Sequence, residues 1–500
     1  RPEEAGEPQG PRRPAMIPLP GYDEGIARAP LLFLLGAVFT ALALGDRGMS
    51  PSAAGAAASL MCLGILLLFS GRRPARFLPY CLALFFLAFF CSLFSLWRVQ
   101  SFSVSRGRVL DGGEVILERP WGSSRVAVVD GGSGRYLLRL RPDQSVMEGE
   151  TLTFAGEAVP FRARGDSSFR EDLYWRARGV TAEVIPDELL SRREGRFGLP
   201  AIRTALRRNI LLNLPPATRG YLLAAFLGVR DPSLADDHRT WGTAHLLAVS
   251  GFHVGLAAAA AWKILSLGAL RRRLSFRGRI LAASVLLWAY ALLAGGAPSA
   301  LRAALMVQSV LLGYVLGRKG SPLNAVSLAG LLLLLWRPEW YADLGWRLSV
   351  TAALLLSALA ERGAGWRTAL AASPLVWLAT YPQTAAAFGV VPLSGIVVNM
   401  VALPVFAFLY PFAALLSIPA LAGLPGGYFL AGAAEGLFLL WQWAADTLTS
   451  FIPWSLSWSP AAAAAGSAAF LASLAFGLFR PGLRTFGGAL LLLLAGMILF

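Results

Sequence analysis

Apolar runs of about 20 residues, the length that crosses a bilayer as helix, recur along most of this chain. Three come early, near 31–45, 53–70 and 77–97. About ten more fill the second half, near 242–268, 279–294, 299–317, 322–337, 346–361, 366–388, 394–418, 426–449, 461–479 and 484–500. A secretory signal peptide is single and N-terminal, so the first run reads as a span among many. The expected fold class is mainly α, a polytopic membrane protein of about 13 transmembrane helices with a small all-β domain inserted. Five segments follow: a Pro-, Gly- and charge-rich disordered lead-in (1–28), N-terminal transmembrane helices (29–98), a β domain (99–192), an amphipathic interfacial linker (199–240) and a multi-helix membrane domain (241–500).

The stretch 99–190 is the only long polar one, and its pattern is β. Val126 and Val128 lie two apart, Asp130-Gly131-Gly132-Ser133-Gly134 supplies a turn, and Tyr136, Leu138 and Leu140 alternate with Arg135, Arg139 and Arg141, interrupted by Leu137. The reading is a hairpin with one apolar and one largely basic face. Further strands at Phe102–Val109, Gly149–Ala155 and Val180–Ile185 bring the total to about five, the size of a small OB-like barrel. Arg135, Arg139 and Arg141 with Trp121, Phe154 and Phe161 would suit backbone tracking and base stacking on single-stranded DNA; an ordinary solvated strand face is the alternative. Twelve arginines meet twelve Asp plus Glu between Gln100 and Pro186, so bulk charge does not favour DNA there.

From Leu199 to Leu214, Ile202, Leu206, Ile210 and Leu211 recur at helical spacing opposite Arg203, Arg207 and Arg208, predicting a basic helix on the membrane surface that faces lipid phosphate or a pore entrance. The net charge of +16 is almost all arginine and concentrates in loops that alternation places inside: Arg72, Arg73 and Arg76; Arg271–Arg279; Arg318-Lys319; Glu361–Arg367; Arg480–Arg484. This puts the β domain outside the cytoplasmic membrane. Cys62, Cys81 and Cys91 sit in apolar runs with no disulfide or metal-ligand spacing, and no metal, cofactor or catalytic residue is expected.

The most informative segment is Gly242–Gly255, GTAHLLAVSGFHVG, which carries two of the three histidines into a span. Read as one helix, it puts positions 245, 249 and 253 on a single face, with Ser250 three before His253; these would line a wet path or bond neighbouring helices. Here the chain resembles the ComEC family of competence proteins, whose signature is very like HLLAVSGFHVGL. Pro298–Ala303 (PSALRA), Leu344–Thr351 (LGWRLSVT), Tyr381-Pro382 through Phe388 to Asn399–Pro404, and Phe169–Ala182 are similar to further family elements, so the resemblance covers about residues 30–490.

That resemblance implies a non-enzymatic channel passing one DNA strand across the bacterial inner membrane, with His245, Ser250, Gly251, His253, Arg302 and Asn399 as channel-lining or DNA-contacting candidates. It implies single-stranded DNA and membrane lipids as partners. A periplasmic DNA receptor, a cytosolic translocating ATPase, a separate nuclease and a second copy of the chain are further ones to look for. Arg347 and Trp346 depart from the family's glutamine and phenylalanine, and Asp343 four residues before Arg347 suggests a local ion pair. The chain begins without Met and stops at Phe500 in an apolar run, as a fragment would. The histidines His238, His245 and His253 cannot build a clustered nuclease metal site. Two other classes stay open: a small-solute transporter, and an intramembrane hydrolase using Ser250 with His245 or His253. Glu435, Gln308 and Gln442, set in apolar spans, are read as bonding neighbouring helices.

Overall fold

The computed structural model describes residues 30–69, 74–101, 106–121, 124–141, 144, 146–159, 161, 171–193, 198–317, 321–361 and 365–478. The expected lead-in 1–28, Arg72, Arg73, Phe102, the Arg318-Lys319 and Arg480–Arg484 loops and the run 484–500 lie outside the described residues, as does Phe169.

Helices α1 (Pro30–Asp46), α2 (Pro51–Phe69) and α3 (Pro74–Gln100) pack together, small Ala54 and Ala58 letting the backbones approach. They do not stand apart from the second half. Leu34, Leu35, Val38 and Leu96 share one apolar core with Leu323 and Val326 of α12 (Pro322–Trp336) and Trp346 and Leu354 of α13 (Leu344–Glu361). The remaining helices are α5 (Leu199–Asn213), α6 (Pro216–Leu227), α7 (Pro232–Thr240), α8 (Gly251–Leu265), α9 (Gly268–Arg273), α10 (Phe276–Leu293), α11 (Pro298–Val315), α14 (Trp366–Phe388), α15 (Ser394–Leu421), α16 (Gly427–Phe451) and α17 (Pro460–Leu478). Among the described residues four helices, Leu78–Gln100, Phe276–Leu293, Pro298–Val315 and Ser394–Leu421, are long and apolar enough to cross a membrane.

The polar stretch is a closed five-stranded barrel: β1 (Gly107–Trp121), β2 (Ser124–Gly131), β3 (Arg135–Leu140), β4 (Thr151–Val159) and β5 (Val180–Arg193), ordered β1-β2-β3-β5-β4, with α4 (Glu171–Arg176) before β5. Only β3 and β5 run parallel, and β1 closes the barrel on β4. This is the OB-like barrel expected, with longer strands. The strand expected at Phe102–Val109 runs instead from Gly107 to Trp121, bending to pair with both β4 and β2; Gly112-Gly113 and the charges at Glu114, Glu118 and Arg119 hide its alternation.

The hairpin needs a correction. Ala127 faces Leu138 and Val129 faces Tyr136, and these fill the barrel, whereas Val128 faces Leu137 and Val126 faces Arg139 on the outside. Opposed residues of an antiparallel pair share a face, so the register set by the turn makes both faces partly apolar. Outside, Val126, Val128 and Leu137 pack against Trp175 of α4 and Val180, giving Leu137 the role that its break in the pattern left unexplained.

One connection of the helical block, 337–342, meets the barrel domain directly. Arg337 approaches Gly179 of the barrel, α4 packs on the 3-10 turn Pro338–Ala342, and Gly228 abuts the Ala294 carbonyl. Arg239 of α7 lies over Phe388, whose following strand β6 (Val390–Pro392) pairs with β7 (Ser455–Ser457).

Candidate functional site

The helix expected to lie flat on the membrane is the first arm of an antiparallel hairpin with α6, turning at Leu214-Pro215. Its arginine edge is the reverse of the prediction, and its apolar edge is divided, with Ile210 buried and Leu206 packed against the same core. Ile202, Leu211 and Leu212 are exposed, while Arg203 is buried and Arg207 half-buried against barrel carboxylates. Arg203 Nε donates to Glu148 Oε2 at 3.0 Å, and its other nitrogens donate to the Leu227 and Leu293 carbonyls at the ends of α6 and α10. Arg207 reaches Glu118 at 3.3 Å; Arg208 alone is exposed. The reason is charge: carboxylates supplied by the barrel turn the arginine edge inward. At the far end, Glu435 of α16 accepts from the Ala217 and Thr218 N–H groups at 2.9 and 2.7 Å, capping α6 across the bundle. Glu435 therefore bonds a neighbouring helix, as read from its place in an apolar run.

Following α7, the chain does not form the single helix predicted over 242–268. Ala244–Leu247 is a 3-10 turn, Ala248 to Ser250 is extended, and α8 starts at Gly251, so positions 245, 249 and 253 do not share a helical face. Gly242 has φ +70 and crosses Gly395 so closely that a Cβ would meet the Gly395 Cα at 2.7 Å. Asn399 Nδ2 donates to the Gly242 carbonyl at 3.2 Å, Tyr410 Oη to Leu246 at 2.9 Å and Ser299 Oγ to Val249 at 2.6 Å. Non-helical backbone among apolar helices must be satisfied by protein or water, and here three side chains from α15 and α11 do so.

The segment is anchored by groups that sequence reasoning passed over. His238 of α7, in a polar run that looks solvated, is fully buried, with Nε2 2.8 Å from Tyr221 Oη and Nδ1 2.8 Å from Thr243 Oγ1. Trp241 Nε1 donates to Asp446 at 2.7 Å. Burial, with His245 nearby, pushes the His238 imidazole down to about 4, so it is neutral at physiological pH. No periodicity could have found it, because its partners come from α6 and from beyond the α7 terminus.

Ser250, Gly251, His253 and Arg302 come together. His253 Nδ1 accepts from the Ser250 N–H at 3.4 Å and lies 3.2 Å from Ser250 Oγ, closing the first turn of α8. A Cβ on Gly251 would stand 3.4 Å from Arg302 Nη2. Arg302, one turn into α11, is buried; Ser349 of α13 accepts from its Nε at 3.0 Å, and Met306 lies 3.0 Å away. No charged partner stands beside it among the described residues. A cation thus sits at a helix N-terminus, itself the positive end of a dipole, an arrangement that suits an anion. His245 is exposed. Asn399 joins the group only through the Gly242 carbonyl.

Residues 226–484, just over half the chain, match the family described as "Competence protein". This chain belongs to the competence protein family. ComE operon protein 3 of Bacillus subtilis (strain 168) is 34% identical over 150 residues, 29% of this chain and 19% of the relative, so the match spans about a fifth of that relative's length. No solved structure matches. The competence region contains α7, the broken segment, Arg302 and Asn399, whereas the barrel, α1–α3 and α5 precede it.

In this competence protein the barrel candidates are held differently from one another. Arg135 pairs with Asp130 at 3.0 Å, and Arg139 lies between Glu183 and Glu171, the former at 2.5 Å. Arg141 is exposed. Trp121 donates from Nε1 to Glu171 at 2.8 Å and packs on Tyr174 and Trp175. The period-two basic face is therefore not a continuous open track: acids on β2, β5 and α4 pair with Arg135 and Arg139, and Arg141 is left exposed.

Proposed function

We propose that this protein is a channel of the bacterial inner membrane, with about 13 transmembrane helices and its barrel outside, that takes single-stranded DNA into the cell during natural transformation. The observation that carries the reading is the broken segment Gly242–Ser250 in the competence region, with exposed His245 on it and, against Gly251 at the start of the next helix, buried Arg302 of α11 with no charged partner among the described residues. A polyanion crossing a low-dielectric slab needs polar contacts that recur and release, and interrupted helices supply backbone and dipole ends for that purpose. His245, Ser250, His253 and Arg302 would contact the strand, while Asn399 and Gly251 shape its path. The hydrolase alternative is poorly supported, since His253 Nε2, where an orienting acid would bond, has no hydrogen-bond partner among the described residues.

The experiment is deletion of the gene in a competent host, with restoration as wild type or as His245→Ala, His253→Ala or Arg302→Ala at matched membrane levels. Fluorescent DNA is followed from outside the inner membrane to the cytoplasm together with transformation frequency. Deletion should strand DNA outside, and Arg302→Ala should fail to rescue. Unchanged uptake after deletion would refute the channel and favour a small-solute transporter.

A further inference from the structure

Around Trp121 the structure gathers arginines that no periodicity singles out. The Arg119 guanidinium carbon lies 4.7 Å from the Trp121 ring centre, 5.1 Å from Tyr174 and 5.2 Å from Trp175. Arg178, after α4, lies 3.6 Å over the same Tyr174 ring and donates to the Tyr174 carbonyl at 3.0 Å. Arg230, between α6 and α7 on the helical block, is exposed and within electrostatic reach of Arg119 and Tyr174. Arg119 and Arg178 share the Tyr174 ring, and Arg230 lies near enough for its charge to act on that of Arg119.

They are held unlike their neighbours. Arg125, Arg135, Arg139, Arg192, Arg203 and Arg207 each pair with a carboxylate. Among the described residues no carboxylate bonds Arg119, Arg178 or Arg230; rings, a hydroxyl and a carbonyl hold the first two. Asp343, the acid within reach of Arg178, engages the Trp346 N–H at 2.8 Å as a helix cap. Burial first, then the neighbouring Arg119, draws Arg178 below the usual arginine range. A ring contact orients a guanidinium without neutralising it and leaves its N–H edge for an oxyanion.

We infer that this cluster binds the phosphodiester backbone of a single nucleic-acid strand, Arg119, Arg178 and Arg230 donating to its phosphate oxygens as the strand passes from barrel to helical block. The choice of polyanion rests on the channel reading above. Planar guanidiniums match phosphate oxygens in pairs, and half-buried Trp121 and Tyr174 beside them suit bases rather than lipid tails.

The test is anisotropy of a fluorescein-labelled oligothymidylate with the full chain in detergent, across a salt series. Arg230→Gln, whose exposed side chain supports no packing, should weaken binding about three- to tenfold and reduce the salt slope by about one. Adding Arg119→Gln and Arg178→Gln should bring the loss to about a hundredfold, with Arg271→Gln on exposed α9 near wild type. Wild-type binding with an Arg230→Gln affinity and slope unchanged overturns the inference and leaves the channel reading standing. Failure of the wild type to bind removes both. If cluster variants keep the oligonucleotide but lose binding to phosphatidylglycerol vesicles, the site is a lipid headgroup site and the inference is wrong.

Discussion

In the barrel and where α5 meets it, arginines face carboxylates: Arg139 lies between Glu171 and Glu183, and Arg203 is buried on Glu148. In the helical block, Arg302 is equally buried but meets a serine hydroxyl and a thioether, and the broken Gly242–Ser250 backbone is held by Asn399, Tyr410 and Ser299. The first arrangement neutralises charge and fixes position. The second fixes position and leaves the charge uncompensated, which is what a site for a moving anion requires. The cluster at Arg119 and Arg178 belongs to the second kind although those residues lie in the barrel domain.

Breaking the neutralised side should cost the most. Arg203→Ala leaves Glu148 buried and unpaired, with an expected loss of about 3–5 kcal/mol. Arg203→Met combined with Glu148→Gln should recover most of it, read as thermal unfolding of the detergent-solubilised protein; equal loss in single and double variants would show that the pair's charge is not what matters.

Acid should act next, at the join of α7 to the broken segment. The His238 pKa is lowered to about 4 against an ordinary 6.5, so the unfolded chain binds the proton more readily. The contribution is full above pH 6.5 and is lost as pH falls from 6.5 to 4, about 3 kcal/mol in all. His238→Asn should flatten that window in a melting-temperature series, and an unaltered pH profile would remove His238 as its cause.

On the uncompensated side, Gly242→Ala places a Cβ against Gly395 at a positive φ, and about 2 kcal/mol of destabilisation with loss of DNA uptake is expected. Glu435→Ala removes the cap of α6 and should cost about 1–2 kcal/mol, Glu435→Gln about half, by the same melting assay. Smallest is Ser299→Ala, about 1 kcal/mol from one lost hydrogen bond to Val249. If Ser299→Ala halves uptake while melting barely moves, the broken segment is a functional surface as well as a packed one.

Much of this was legible in order and spacing. Apolar run lengths located the helices, alternation around Asp130–Gly134 located the hairpin, and the polar stretch between the runs announced a small barrel, because water, bilayer and strand pleat each impose a period on the sequence. The HLLAVSGFHVGL stretch stood out as the candidate site for the same reason: histidines among apolar residues need a cause. What the run of letters left undecided was which face of each element meets which partner. Arg203 turned inward because Glu148 waits on another domain, the 242–268 run broke because Asn399, Tyr410 and Ser299 could satisfy its freed carbonyls, and His238 lost its water because α6 covered it. Periodicity is a local property carried by the chain itself, whereas compensation of a charge or a carbonyl depends on groups 17 to 164 residues away, and only the tertiary structure brings those together.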